Sequence, residues 1–419
     1  MKRKRLIRVF EHERVYLKEK SCSERYLYPE ELEKLYEYND QTGNIYFTSI
    51  RHGIKFNQYV GVIQVGLLTI EVLPKTDRTS VHSNDDYTFW HGVLIDMLKF
   101  CKKIDIKSDS ESELKRKYNS ILDLYYQLFI DEVLLLLSRG LIKQYRKTEG
   151  NVSALKGRLL FSKNIQLNLI RKDKFYTSHQ TYDQDYIFNQ ILLKAIDILG
   201  QTSYSSQILD SVRKIRVMMD EISLRDIYAS DFDKIRWGRK TESYRKAINI
   251  AQLIILNYAP DIKAGKENML AIIFDMNKLW EEYVFRLLQI ANKDGKYRLS
   301  FQNSKRFWET KTIRPDILIE NIEQKSKFII DTKWKMISSN NPSDDDLKQM
   351  YAYNMYWKAK RGILLYPCDG TQTNRLGKYH EGRTEDNICK LAFLNILSDD
   401  KLDKTKGIEV FKLLGDHTE

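Results

Sequence analysis

Between Arg314 and Lys335 the chain reads RPDILIENIEQKSKFIIDTKWK, two short apolar runs joined by a polar connection. Runs of this length, rich in isoleucine and bounded by polar residues, read as strands, and NIEQKSK suits a hairpin between them. Downstream, SDDDLKQMYAYNMYWKAK reads as a helix and GILLYP as a further buried strand. Upstream stand YRLSFQ, a strand, and DMNKLWEEYVFRLLQIA, a helix with Leu279, Tyr283, Leu287 and Ile290 along one stripe. Helix, three strands, helix and strand over residues 266 to 367 make a compact α/β unit.

Strand side chains alternate, so Asp331 and Lys333 point to one face while Phe328, Ile330, Thr332 and Trp334 point to the other. Pro315, which cannot donate to a ladder, opens the preceding strand, and Asp316 follows it. The hairpin would set Asp316 and Asp331 on adjacent antiparallel strands, near enough to share one cation. Mg²⁺ takes oxygen ligands and keeps several waters, so two carboxylates and a backbone carbonyl suffice to hold it. A retained water of lowered pKa is a nucleophile for a phosphodiester, and a nearby lysine stabilises charge developing on the phosphate. An Asp-x-Lys on a strand is often only a solvated ion pair. Here the apolar flanks, the second acid and an acid-bearing helix upstream favour the metal site.

The remainder of the chain divides by pattern. Residues 1–86 read as a β-rich module: NIYFTSI and GVIQVGLLTIEVLPKT combine β-branched residues, alternation and glycine breaks. The second stretch is apolar on both sides, as in a sandwiched strand, and the polar SVHSNDDYTF reads as a loop closing the module. Residues 87–265 read as a mainly helical middle, with apolar positions at three- and four-residue spacing and Gly140 and Gly200 where helices could end. Residues 266–419 hold the α/β core. The expected fold class is thus a multidomain α/β protein.

Lys and Arg outnumber Asp and Glu by 69 to 57, a net charge of +12, which favours a polyanionic partner. Cys22, Cys101, Cys368 and Cys389 are scattered with no C-x-x-C pair, which argues for a reducing compartment and against structural zinc. The basic start MKRKRLIRVF lacks the apolar run of a secretory signal, and no stretch is long enough to span a membrane, so a cytoplasmic protein is expected. Histidines show no H-x-x-x-H spacing, and no G-x-S-x-G appears. Asp344, Asp345 and Asp346 follow Ser343 at a helix start, where a cap and first-turn acids are the simplest reading. Lys305, Arg306, Lys311 and Arg314 precede the acidic strand and could hold DNA phosphates, with Trp308 among them as a stacking group or an ordinary hairpin aromatic.

The pair Pro315-Asp316 followed by Asp331-Thr332-Lys333 resembles the PD-(D/E)xK nuclease superfamily, whose core order matches residues 266 to 367. The resemblance places the helical acid in LWEEYV, at Glu281 or at Glu282. It matches Gln349 and Tyr353 to the Q-x-x-x-Y element of RecB-like members. A resemblance over nearly the whole chain is to the McrC family, the nuclease subunits of McrBC-type restriction systems. It rests on IEVLPKT, LKGRLLFSKNI, YDQDYIFNQILLKAI and DMNKLWEEYV.

Together these imply an Mg²⁺-dependent endonuclease in which Glu281, Asp316 and Asp331 hold the metal and Lys333 serves the nucleophile or transition state. Gln349 would orient a phosphate or water, and Tyr353 would join the residues meeting the nucleic acid. They also imply an AAA+ GTPase partner that the amino-terminal part docks to and stimulates, consistent with the absence of G-x-x-x-x-G-K-[ST] from this sequence. A standalone repair-type nuclease and a non-enzymatic DNA-binding or assembly subunit remain as rival readings.

Overall fold

The computed structural model describes residues 4–21, 25–75, 84–104, 120–259, 269–335, 337, 341–368, 372–379, 388–398 and 401–415. Cys22, residues 80–83 of the expected loop and the expected boundary at 265 lie outside them. Packing gathers the chain into two compact units. One comprises residues 1–4, 64–67 and 118–272, and the other comprises 5–63, 68–117 and 273–419. The strand-rich beginning and the α/β end, separate along the chain, therefore belong to one unit.

In the first unit the helices Ile121–Arg139, Ile187–Thr202, Ser206–Met218 and Arg245–Leu256 pack on one another. Ser120 caps the first of these through the Asp123 amide, and Gly140 ends it. Gly200, by contrast, sits inside Ile187–Thr202. The same unit holds a three-stranded antiparallel sheet, Gln144–Val152, Phe175–Asp183 and Arg158–Leu159, where a mainly helical region is expected from sequence. Its strands are largely polar, Gln144–Val152 mostly exposed and Phe175–Asp183 mostly half-buried, so they carry no apolar period to read. Their nine-residue register is held instead by backbone pairing and cross-strand contacts such as Arg146 Nε to Asp183 Oδ2 at 2.9 Å.

In the second unit β1 (Arg5–Phe10) pairs in parallel with β2 (Leu68–Leu73). The stretch expected as one long strand is two, Tyr59–Val65 and Leu68–Leu73, broken at Gly66, whose φ of 53° glycine adopts without strain. Both strands are buried along almost their whole length, as their apolar composition on both faces requires. The polar NDDYTF does not form a loop but opens the helix Asn84–Phe100, with Asp85 and Asp86 favourable in its first turn.

The carboxy-terminal part begins with α1 (Met276–Ala291), capped by the Asp275 carboxylate on the Asn277 amide at 3.0 Å. Leu279, Tyr283 and Leu287 are buried along it, while Ile290 is half exposed at the helix end. There follow β3 (Tyr297–Phe301), the hairpin β4 (Lys305–Trp308) and β5 (Lys311–Ile313), then β6 (Ile317–Asn321) and β7 (Lys327–Thr332). After them come α2 (Asp344–Trp357), β8 (Arg361–Cys368), β9 (Arg375–Lys378), β10 (Ile388–Asn395) and α3 (Gly407–Lys412). One six-stranded sheet runs β3-β6-β7-β8-β10-β9. The meander β3-β6-β7 is antiparallel, and the chain then crosses over through α2 to set β8 parallel to β7. Such a crossover needs a helix-length connection. Its apolar layer joins Leu318, Ile329 and Leu364 of the sheet to Met350, Tyr353 and Trp357 of α2.

Cys101, Cys368 and Cys389 are buried. Among the described residues no helix is long and apolar enough to cross a membrane.

α3 packs closely on α1 at Gly407, where an added Cβ would meet the Leu287 carbonyl oxygen and lie 2.7 Å from Ala291 Cβ. Gly407→Ala is expected to destabilise the protein by about 1–3 kcal/mol, the range for overpacking a tight contact. A urea unfolding curve measures it, and an unchanged midpoint would contradict the close approach.

Candidate functional site

The register Ile317 opposite Ile330 brings Asp316, just ahead of β6, beside the end of β7, where Asp331 and Thr332 stand. Asp316 Oδ2 accepts from the Thr332 amide at 2.7 Å and from Thr332 Oγ1 at 2.9 Å. Asp331 is 2% exposed, with Oδ2 2.8 Å from Lys333 Nζ. That contact is a buried ion pair. Glu281, one of the two candidates on α1, is half buried and accepts from Gln302 Nε2 at 2.9 Å. Glu282 is instead turned to Lys103, at 2.8 Å. Glu281 is thus the acid of α1 that feels Asp331 and Asp316.

Burial and mutual repulsion govern these acids. Burial first, then the Asp316 charge, push Asp331 up to about 7 against the pull of Lys333. Burial and the Glu281 charge push Asp316 up to about 6, although both Thr332 hydrogen bonds favour its ionised form. Glu281 is raised by burial and by Asp331. Burial alone would lower the Lys333 ammonium, but Asp331, Asp346 and Asp316 outweigh it and push it up to about 12.

Around Lys333 runs a chain of hydrogen bonds. Its Nζ donates to Gln349 Oε1 at 3.0 Å, Gln349 Nε2 donates to the Tyr353 hydroxyl at 2.8 Å, and that hydroxyl donates to the Arg314 carbonyl at 3.0 Å. Gln349 and Tyr353 lie one turn apart on α2, so a single helix face serves both. Tyr353 is buried and acts here as a fastener between α2 and the entry to β6.

Of the basic residues expected near phosphate, Arg314 has its side chain exposed directly before Pro315-Asp316. Lys305, Arg306 and Lys311 lie on the exposed hairpin β4–β5, which docks on the far end of α2. There Lys305 Nζ donates to the Tyr356 carbonyl at 2.9 Å and lies 4.7 Å from the Trp357 ring centre, and Phe307 packs on Tyr356. Trp308 is 63% exposed.

Three participants escape a reading by motif. Asp346, which fits the capping pattern behind Ser343, is also buried and pairs with Lys333 at 3.4 Å and Lys335 at 2.5 Å. Its spacing of three residues from Gln349 and seven from Tyr353 on one helix face was the available signal. Thr332, the variable position of Asp-x-Lys, holds Asp316. Gln302, at a left-handed φ of 48°, joins the Glu281 carboxylate to the Asp316 carbonyl, which its own amide meets at 2.7 Å.

Among the described residues no three carboxyl or imidazole groups stand in a finished metal-ligating arrangement, because Asp316 is turned to Thr332 and Asp331 to Lys333. The donor chemistry nonetheless fits a hard divalent cation. Three carboxyl groups that burial and mutual repulsion hold at raised proton affinity form a place short of positive charge.

The family described as McrBC 5-methylcytosine restriction system component matches residues 54–367. The type IV methyl-directed restriction enzyme EcoKMcrBC of Escherichia coli strain K12 is 24% identical over 274 residues, which is 59% of this chain and 77% of that one. In fold, the chain is similar to one from an assembly of Thermococcus gammatolerans McrB AAA+ hexamers with bound McrC. That likeness has a TM-score of 0.70 at 16% identity and covers 98% of this chain and 100% of that one. A chain of the Thermococcus gammatolerans McrBC complex matches with a TM-score of 0.51 at 17% identity, over 68% of this chain and 87% of the other.

The raised acids predict a pH dependence. An unfolded carboxyl titrates near 4, whereas Asp316 and Asp331 are held at about 6 and about 7. The metal-free native state therefore binds more protons in between. The stability these groups contribute is complete below about pH 4 and is lost as pH rises through their folded values. The thermal midpoint of metal-free protein is expected to fall between about pH 5 and about pH 8, and Asp331→Asn to remove part of the fall. A variant with the wild-type slope would contradict the assignment.

Proposed function

The chain belongs to the family of McrBC 5-methylcytosine restriction system components, and on that premise we propose that it is the DNA-cleaving subunit of such a system. One observation carries this reading. Glu281, Asp316 and Asp331, drawn from a helix and two adjacent strands, gather beside Lys333 at burial that makes their charge costly without a cation. The order of helix, antiparallel meander, crossover helix and parallel strand supports a PD-(D/E)xK core.

Mg²⁺, held by Glu281, Asp316 and Asp331, would supply a water of lowered pKa and offset negative charge on the scissile phosphate. Lys333 stays protonated at neutral pH and offers its ammonium to the phosphate oxygens. Gln349 fixes that ammonium from one side, and its amide, bonded to Tyr353, is thereby held in one orientation. Asp346 balances Lys333 and Lys335 and limits how far the lysines can swing. Arg314, Arg306 and Lys311 give the phosphate backbone a positive approach to Asp316.

The sequence has no phosphate-binding loop of the G-x-x-x-x-G-K-[ST] kind, so nucleotide hydrolysis is assigned to a separate AAA+ GTPase; the similar Thermococcus gammatolerans assembly joins McrC to McrB AAA+ hexamers. The complex would act in the cytoplasm.

The chain, co-purified with an AAA+ GTPase encoded beside it, is expected to cut methylated DNA in the presence of GTP and Mg²⁺. Asp331→Ala should lower cutting by roughly 100-fold or more while leaving the complex assembled. Equal cleavage by the variant would remove Asp331 from the site, and robust cutting without GTP would favour a standalone nuclease. In DNA-binding titrations, Arg306→Ala and Lys311→Ala should each lessen the slope of log affinity against log salt by about 1. Unchanged slopes would take the hairpin off the DNA path.

A further inference from the structure

The residue after Lys333 leads away from the carboxylates. Trp334 is 5% exposed, and its indole Nε1 donates to Glu11 Oε1 at 2.6 Å. Glu11 follows β1 and is 4% exposed, 323 residues away along the chain. Its Oε1 also accepts from the Lys75 amide at 2.9 Å, and its own amide donates to the Leu73 carbonyl at 2.9 Å. One buried carboxylate thus joins the ends of β1 and β2 to the segment that carries Lys333. On the other side Trp334 packs on Trp280, with ring centres 5.6 Å apart. Trp280 immediately precedes Glu281, and its Nε1 donates to the Leu365 carbonyl at 3.3 Å. The same carbonyl receives the Lys333 amide at 2.9 Å.

We infer that Glu11 is a positioning residue for the site, acting through the Trp334 indole to hold Lys333 and, through Trp280, Glu281. This rests on the nuclease reading above. Lys333 lies just past the end of β7, at Thr332, so the sheet ladder does not fix it beyond its own amide. The following residue supplies the second fixed point, its indole bonded to the Glu11 carboxyl, whose proton affinity burial raises. The amino-terminal strands thereby become part of the catalytic scaffold. A small rotation at Trp334 moves Lys333 relative to the acids, and misplacement by about 1 Å can cost 100-fold in rate.

The test uses the full chain in complex with its GTPase partner, GTP, Mg²⁺ and methylated DNA. Glu11→Ala is expected to lower kcat roughly 10- to 100-fold with KM for DNA unchanged. Glu11→Gln, which keeps an acceptor for the indole, should restore most of the rate. Trp334→Phe should match Glu11→Ala, and the double variant should be no slower than either, since both break one contact. In the NMR spectrum of the metal-free chain, the indole N–H signal missing from Trp334→Phe should shift upfield in Glu11→Ala and return toward its place in Glu11→Gln. Full kcat in folded Glu11→Ala, losses that multiply in the double variant, or an unmoved indole signal would overturn the inference. Failure of the wild-type complex to cut would count against the nuclease reading, whereas wild-type cutting with an indifferent Glu11→Ala would count against this inference alone.

Discussion

Three carboxyl groups gathered where water is scarce cannot all be charged unless positive charge is brought to them. Lys333 supplies it in this protein. Its ammonium lies between Asp331 and Asp346, close enough that both outweigh the burial that would otherwise neutralise it. Even so Asp316 and Asp331 retain raised proton affinity, so one lysine does not offset the whole cluster. That shortfall of positive charge is what a divalent cation would meet. It also explains why the surrounding polar groups are so closely spoken for: the Thr332 amide and hydroxyl on Asp316, Gln302 on Glu281 and Gln349 on Lys333.

The sheet makes the cluster possible because the adjacent strands β6 and β7 bring Asp316 and Asp331 to neighbouring positions. Antiparallel pairing of β6 with β7 sets Asp316 against Thr332. The parallel neighbour β8 supplies the Leu365 carbonyl on which both the Lys333 amide and the Trp280 indole converge. The crossover helix α2 returns over the same end, so Asp346, Gln349 and Tyr353 face the lysine from above. The apolar layer beneath, with Ile329, Leu364, Met350 and Trp357, keeps that helix in register with the sheet.

Much of this was legible along the chain. Apolar runs of five or six residues separated by polar turns marked β6 and β7, and the four-residue spacing of Leu279, Tyr283 and Leu287 marked α1. Legibility failed where stability comes from pairing rather than apolar period. The polar sheet of residues 144–183 has no alternation to detect, and the acidic start of the helix at Asn84 looks like loop composition. It failed again where one residue has two tasks: Asp346 fits a helix-start pattern that conceals its pairing with Lys333 and Lys335.

The sequence by itself determined the order of elements in the carboxy-terminal part and the placing of Asp316, Asp331 and Lys333 at strand ends, because alternation and hairpin register are local properties of the chain. It also determined the basic balance that suits a polyanionic partner. Only the tertiary structure gave Glu281 and Glu282, neighbours on α1, their different partners, Gln302 for the first and Lys103 for the second. It alone joined Glu11 to Trp334 across 323 residues, a contact with no local signature. Long-range packing settles such pairings because burial leaves a polar side chain few partners it can reach, and which partners those are depends on the fold of the whole unit.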